Sequence, residues 1–184
     1  MEPFDVEKIL NALEAVLKEE QKWYGDGFIV VDEKQFVVSL REQNSLEALA
    51  KYNPQAIVRK NHVAYLKLQG DVRKLPEEVY GLSYLVCLDL NNTGFDAPEQ
   101  LEFLSNLKVV DLSRTKVRDL QWMQRLPLLE DARLQDTPVA DLKGAESAPF
   151  LKKLVLYNAP INWESPLSQK QLLYLVGRGV DVGR

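Results

Sequence analysis

The sequence is poor in the residues that most enzyme chemistry depends on. Its 184 residues include one cysteine, Cys87, and one histidine, His62. A single cysteine excludes an intramolecular disulfide and any multi-cysteine metal site. A single histidine removes most catalysis that needs an imidazole base or relay. No run of about 18 apolar residues occurs, so no membrane-spanning helix is expected. Basic residues are not clustered: 23 Lys and Arg stand against 27 Asp and Glu, for a net charge of -4. A phosphate-tracking surface needs clustered Lys and Arg, so nucleic-acid binding is disfavoured. The opening MEPFDVEKIL is acidic and lacks an apolar h-region, so it does not read as a secretory signal. A soluble protein in a reducing cytoplasm, or delivered from there, is the expectation. No Gly-rich phosphate loop, zinc-ligand spacing or Ser-His-Asp arrangement can be assembled. No catalytic residue, cofactor or metal is therefore expected.

What the sequence has is a repeat. LKVVDLSRTKV from Leu107 is answered 22 residues later by LEDARLQDTPV from Leu129. Steps of 22 also reach LVCLDLNNTGF from Leu85, LKKLVLYNAPI from Leu151 and VAYLKLQGDV from Val63. Leu82, Leu104, Leu126 and Ala148 stand three places before the first Leu of the later four units. Within each unit the Leu-x-Leu alternation has period two and predicts a short strand with one buried face. One such unit cannot bury its apolar side, but stacked units share a continuous core and a parallel sheet, with strands about 4.8 Å apart. The first unit is irregular, with Val72 and Leu75 one place early.

The pattern L-x-x-L-x-x-L-x-L-x-x-T-x-V resembles the leucine-rich repeat over residues 62–161. Its length is most similar to the short-repeat class of phosphatase regulatory subunits and many bacterial proteins. The resemblance implies an α/β solenoid with a short parallel β-sheet on its concave face, acting as a binding scaffold. Where the family has Asn at the turn, this chain has Thr93, Thr115 and Thr137, then Ala159. Such a Thr ladder is familiar in bacterial members, and its hydroxyls can serve the backbone groups exposed where a strand turns.

The ends read as covers for the open solenoid. Residues 1–61 form an α-β-β-α module: an amphipathic helix over 5–22, a hairpin of GFIVV and QFVVSL, and a short helix from Ser45 stopped by Asn53 and Pro54. Trp23 and Tyr24 end the first helix. Residues 162–184 form a helix–strand cap. Ser168 and Gln171 make its capping box, Gly177 stops the helix, and GVDV supplies a last strand. Trp122 falls on the convex side, shielding the core, and Trp163 abuts the C-terminal cap. A monomer is expected; the unpaired edges of the FIVV and FVV strands offer the route to a homodimer.

Positions one, four and six of each unit point inward, so positions three, five and seven face the concave side. Position three gives Tyr65, Cys87, Val109, Asp131 and Lys153; position five gives Lys67, Asp89, Asp111, Arg133 and Val155; position seven gives Gln69, Asn91, Ser113, Gln135 and Tyr157. These exposed slots, Gln69 and Val155 aside, are the expected binding residues for a protein partner. Asp89 and Asp111 are cross-strand neighbours, and two close carboxylates can share a proton or hold a hard cation. Lys67 and Arg133 flank them, however, in a Lys-Asp-Asp-Arg row whose charges satisfy each other. Cys87 lies roughly 11 Å from His62 by strand geometry, too far for an activated thiol. Two functional readings follow. The first is a non-enzymatic scaffold that grips a protein partner on the concave face, as a regulator, effector or immunity-type inhibitor. The second places an effector or enzyme activity in residues 1–61, on Glu19, Glu20, Asp26, Asp32 or Glu33, with the repeats choosing the target.

Overall fold

The structure, a computed structural model, describes residues 62–184 throughout and, before them, 23–24, 28–30, 50–52 and 55–59. The period-two alternation builds the strands that the repeat demands. β4 (His62–Lys67), β5 (Cys87–Asp89), β6 (Val109–Asp111), β7 (Asp131–Arg133), β8 (Lys153–Val155) and β9 (Asp181–Gly183) pair in parallel, each with the next. Their register keeps the 22-residue phase: Leu66, Leu88, Val110, Ala132, Leu154 and Val182 lie side by side. Positions one and six are buried in every unit, from Val63 and Leu68 to Leu151 and Leu156.

A parallel pair cannot be closed by a tight hairpin, so the chain must cross back behind the sheet. Four crossings are made by short 3-10 helices: η2 (Glu77–Gly81), η3 (Pro98–Phe103), η4 (Gln121–Arg125) and η5 (Ala145–Ser147). Each buries an apolar residue against the sheet: Val79, Leu101, Met123 with Trp122, and Ala145. Trp122 lies on the convex side as expected, its indole N–H donating to the Asp119 carbonyl at 2.9 Å. The last crossing is the α-helix α1 (Pro166–Gly177), which leads into β9.

Each strand ends in a turn of fixed chemistry. The Thr93, Thr115 and Thr137 hydroxyls donate to the carbonyls of Leu90, Leu112 and Leu134 at 2.7, 2.6 and 2.6 Å. One residue earlier the backbone is left-handed, at Gly70, Asn92, Arg114, Asp136 and Asn158, with φ between 57° and 82°. Gly, Asn and Asp tolerate that conformation best.

The N-terminal elements continue the same sheet. β3 (Gln55–Arg59) pairs antiparallel with β4, β2 (Phe28–Val30) pairs parallel with β3, and β1 (Trp23–Tyr24) pairs antiparallel with β2. Strand order in the sheet follows chain order from β1 to β9. Several expectations change here. Trp23 and Tyr24 form a strand rather than a helix end. β2, the described part of FIVV, has partners on both sides, so it is not a free edge for a homodimer. β3 was not expected at all. The expected helix from Ser45 is described only at its end, as the 3-10 turn η1 (Ala50–Tyr52), whose Tyr52 carbonyl accepts from Gln69 N at 2.8 Å. The helix over 5–22 and the strand over 35–40 lie outside the described residues.

The start and stop of α1 also shift. Ser165, not Ser168, is the N-cap: its hydroxyl accepts from Ser168 N at 3.1 Å, and Pro166 takes the first turn. Proline fits there because that N–H has no helical partner anyway. Gly177 belongs to the helix, and the left-handed reversal falls at Gly179, with φ 82°.

Candidate binding face

The strand register brings the expected rows together. Tyr65, Cys87, Val109, Asp131 and Lys153 are aligned neighbours, extended by Asp181; Lys67, Asp89, Asp111, Arg133 and Val155 are aligned beside them, extended by Gly183. Position seven adds Gln69, Asn91, Gln135 and Tyr157, of which Tyr157 is the most open; its ring lies close over Gly183.

Not every expected slot is open. Val109 is 3% exposed, Asp131 2% and Ser113 5%. All three belong to the central units, where side chains from strands on both sides crowd a surface that curves inward. Alternation assigns a side chain to a face but says nothing of that crowding. Cys87 is half-buried rather than exposed, and burial, reinforced by Asp89 and Asp111, pushes its thiol up to about 12 against a smaller opposing pull from Arg133. The thiolate is the nucleophilic form, so Cys87 is chemically quiet. His62 is not near it: the imidazole stacks on the Tyr84 ring, with centroids 3.7 Å apart.

The charge row is satisfied at one end only. Lys67 Nζ lies 3.2 Å from Asp89 Oδ2, and the Tyr65 hydroxyl donates to the same oxygen at 3.4 Å. Burial first, and then the Asp89 charge, raise the Tyr65 phenol above its ordinary range. The other oxygen of Asp89 accepts from Asn91 N at 2.8 Å, and Asp111 repeats this bond with Ser113 N at 2.9 Å. Asp111 and Arg133 are register neighbours, yet no ion pair joins them. The expected mutual neutralisation therefore holds for Lys67 and Asp89 and fails for Asp111 and Arg133. No group of three or more His, Cys, Asp or Glu suited to a metal ion occurs among the described residues.

A second charged ladder runs along position two, a row that the alternation alone does not single out. At position two, Lys108 Nζ lies 3.2 Å from Glu130 Oε1 and Lys152 Nζ lies 2.6 Å from Glu130 Oε2. Burial alone would raise the Glu130 carboxyl, but the hydrogen bonds and charges of Lys152 and Lys108 outweigh it and hold it below its ordinary range. The signal was available, since Lys108, Glu130 and Lys152 are 22 residues apart. Arg178 was also missed. Its guanidinium donates to the carbonyls of Glu146, Ala148 and Pro149 at 2.8, 2.7 and 3.0 Å, tying α1 to the preceding return. Glu19, Glu20, Asp26, Asp32 and Glu33 lie outside the described residues. No helix among the described residues is long and apolar enough to cross a membrane.

An open parallel sheet in constant register, inward leucines at fixed positions and 3-10 returns define a leucine-rich repeat solenoid; in fold, the chain is a leucine-rich repeat protein. Among solved structures it is similar to a leucine-rich repeat protein of Leptospira interrogans, with 21% identity and a TM-score of 0.56 over 86% of this chain and 37% of that one. It is also similar to two internalins of Listeria monocytogenes. One is 27% identical, with a TM-score of 0.46, over 55% of this chain and 45% of that one. The other is 14% identical, with a TM-score of 0.47, over 61% of this chain and 38% of that one. The chain thus spans less than half the length of each. No family model and no curated protein matches the sequence.

Proposed function

We propose that the chain is a non-enzymatic scaffold whose concave face takes a protein partner, in the role of a regulator, effector or immunity-type inhibitor. The observation that carries this reading is the contrast between slots. Inward positions repeat Leu, Val or Ala from unit to unit, whereas the concave positions change identity along the stack, from Lys67 through Asp89 and Asp111 to Arg133 and Val155. Asp111 and Arg133 stand side by side, half-exposed and without a mutual ion pair. Complementary charges on a partner would speed encounter and fix its register.

The test begins with affinity capture on the immobilised full chain, using extract of the source organism and identification by mass spectrometry. The captured protein is then titrated against wild type and the triple variant Asp89→Lys, Asp111→Lys, Arg133→Glu. Binding should weaken about tenfold or more, while the circular dichroism spectrum keeps its wild-type form; the thermal midpoint falls somewhat, because Asp89 and Asp111 lose their bonds to Asn91 N and Ser113 N and Asp89 its pair with Lys67. Equal affinity of the triple variant would move the interface off the concave face.

A further inference from the structure

The turn between each 3-10 return and the next strand sets one pair of residues per unit on the rim of the solenoid. In the last two units the pairs are Pro127–Leu128 and Pro149–Phe150, and all four residues are exposed. Leu128 is 36% exposed and Phe150 58%. Their strands pair in register, Asp131 with Lys153, so the two side chains occupy adjoining rows about 4.8 Å apart.

Arg178 joins the terminal helix to this rim. It bonds the Pro149 carbonyl at 3.0 Å, and its guanidinium carbon lies 5.7 Å from the centroid of the Tyr174 ring. Tyr174 is itself 54% exposed. Leu128, Phe150 and Tyr174 therefore make one apolar strip running from the fourth unit onto α1. Large exposed apolar side chains grouped in this way mark interaction sites, and aromatic residues favour the anchoring positions. The outer side of α1 has the same character. A helix that closes a solenoid is expected to be polar outside, yet Leu173 and Val176 are also more than half exposed.

The charges beside the strip decide what fits it. Arg125, Lys152 and Arg178 stand within four residues of the strip in sequence, and Lys108 shares the Glu130 carboxylate with Lys152; against these four cations stand three carboxylates, Glu102 paired with Arg125, Glu130, and Glu146 on the return that Arg178 bonds. The strip is thus edged by a basic excess in a chain whose net charge is -4. Arg178 contributes most directly, because its hydrogen bonds go to carbonyls and no carboxylate among the described residues pairs with it. We infer that this rim is a second binding surface, separate from the concave face, for a protein segment presenting large apolar side chains flanked by Asp or Glu.

The test uses the full chain and two synthetic probes: a soluble amphipathic peptide of Glu, Leu and Phe, and its twin with Lys in place of every Glu. Amide shifts are followed by NMR during titration. The acidic peptide should move the signals of residues 127–130, 149–152 and 174–178, with an affinity that falls as salt is raised. The Lys twin should not. Leu128→Asp with Phe150→Asp should weaken binding about tenfold or more, and the circular dichroism spectrum should keep its wild-type form, because neither side chain belongs to the buried core. The concave triple variant should bind the acidic peptide normally, which separates this surface from the concave one. Absence of localised shifts up to about 1 mM peptide, equal response to both peptides, or shifts confined to the concave rows would overturn the inference.

Discussion

Cys87 stands in register between Tyr65 and Val109, and burial leads the causes that push its thiol from an ordinary 9.0 up to about 12. Thiolate is the form that attacks alkylating agents. At pH 8 the folded chain should therefore react with iodoacetamide at least about a hundredfold more slowly than the chain unfolded in urea. Rapid alkylation of native protein would show that the concave face is open over Cys87. The same shift fixes a pH dependence. Because the folded value lies above the unfolded one, the stabilising contribution is complete below about pH 9 and is lost as pH rises toward 12. Tyr65 is raised as well, so it acts in the same direction at higher pH. The thermal midpoint should drop between pH 8 and 11, and Cys87→Ala should flatten the first part of that drop.

Among the elements, the return between β7 and β8 brings Gly144 close against the backbone of the preceding unit. Gly144 has φ 105°, and a Cβ there would strike the Leu120 carbonyl and the Gln121 backbone of the preceding unit. Gly144→Ala should cost about 2–5 kcal/mol, combining a strained conformation with overpacking. Gly177 is helical, and a Cβ on it would meet open space, so it is the control. Gly177→Ala should be neutral or stabilising by up to about 1 kcal/mol. Urea titrations of the two variants check both values, and equal stability would remove the close-contact argument. The strand register was legible in the sequence because a 22-residue period fixes which residues become neighbours. The left-handed position was also legible in principle through Gly70, Asn92, Asp136 and Asn158, although Arg114 breaks the run. β3 was not, because five residues after an Asn-Pro stop carry too little alternation to separate a strand from a loop. The helix start was misread because two serines compete, and Pro166 is what favours Ser165. At the binding face, the sequence told which way Val109, Ser113 and Asp131 point but not how deeply their neighbours cover them.

At the scale of the whole molecule, each unit buries its apolar side only against the next, so stability is shared along the stack. Leu112, fully buried at the centre, should cost roughly 2–5 kcal/mol when replaced by Ala. The sheet does not stop where the repeats begin. β3 covers the free edge of β4, and Ala56 is buried in the same core as Leu66 and Leu88. A fragment of residues 62–184 would expose the backbone groups of β4 along that edge and open the first unit to water. Unpaired strand edges invite association. The fragment should therefore unfold at lower urea concentration than the full chain and self-associate in light scattering, while the full chain does neither. If the fragment instead matches the full chain in midpoint and remains monomeric, residues 1–61 do not act as a cover for the repeats, and a separate N-terminal domain becomes the better description.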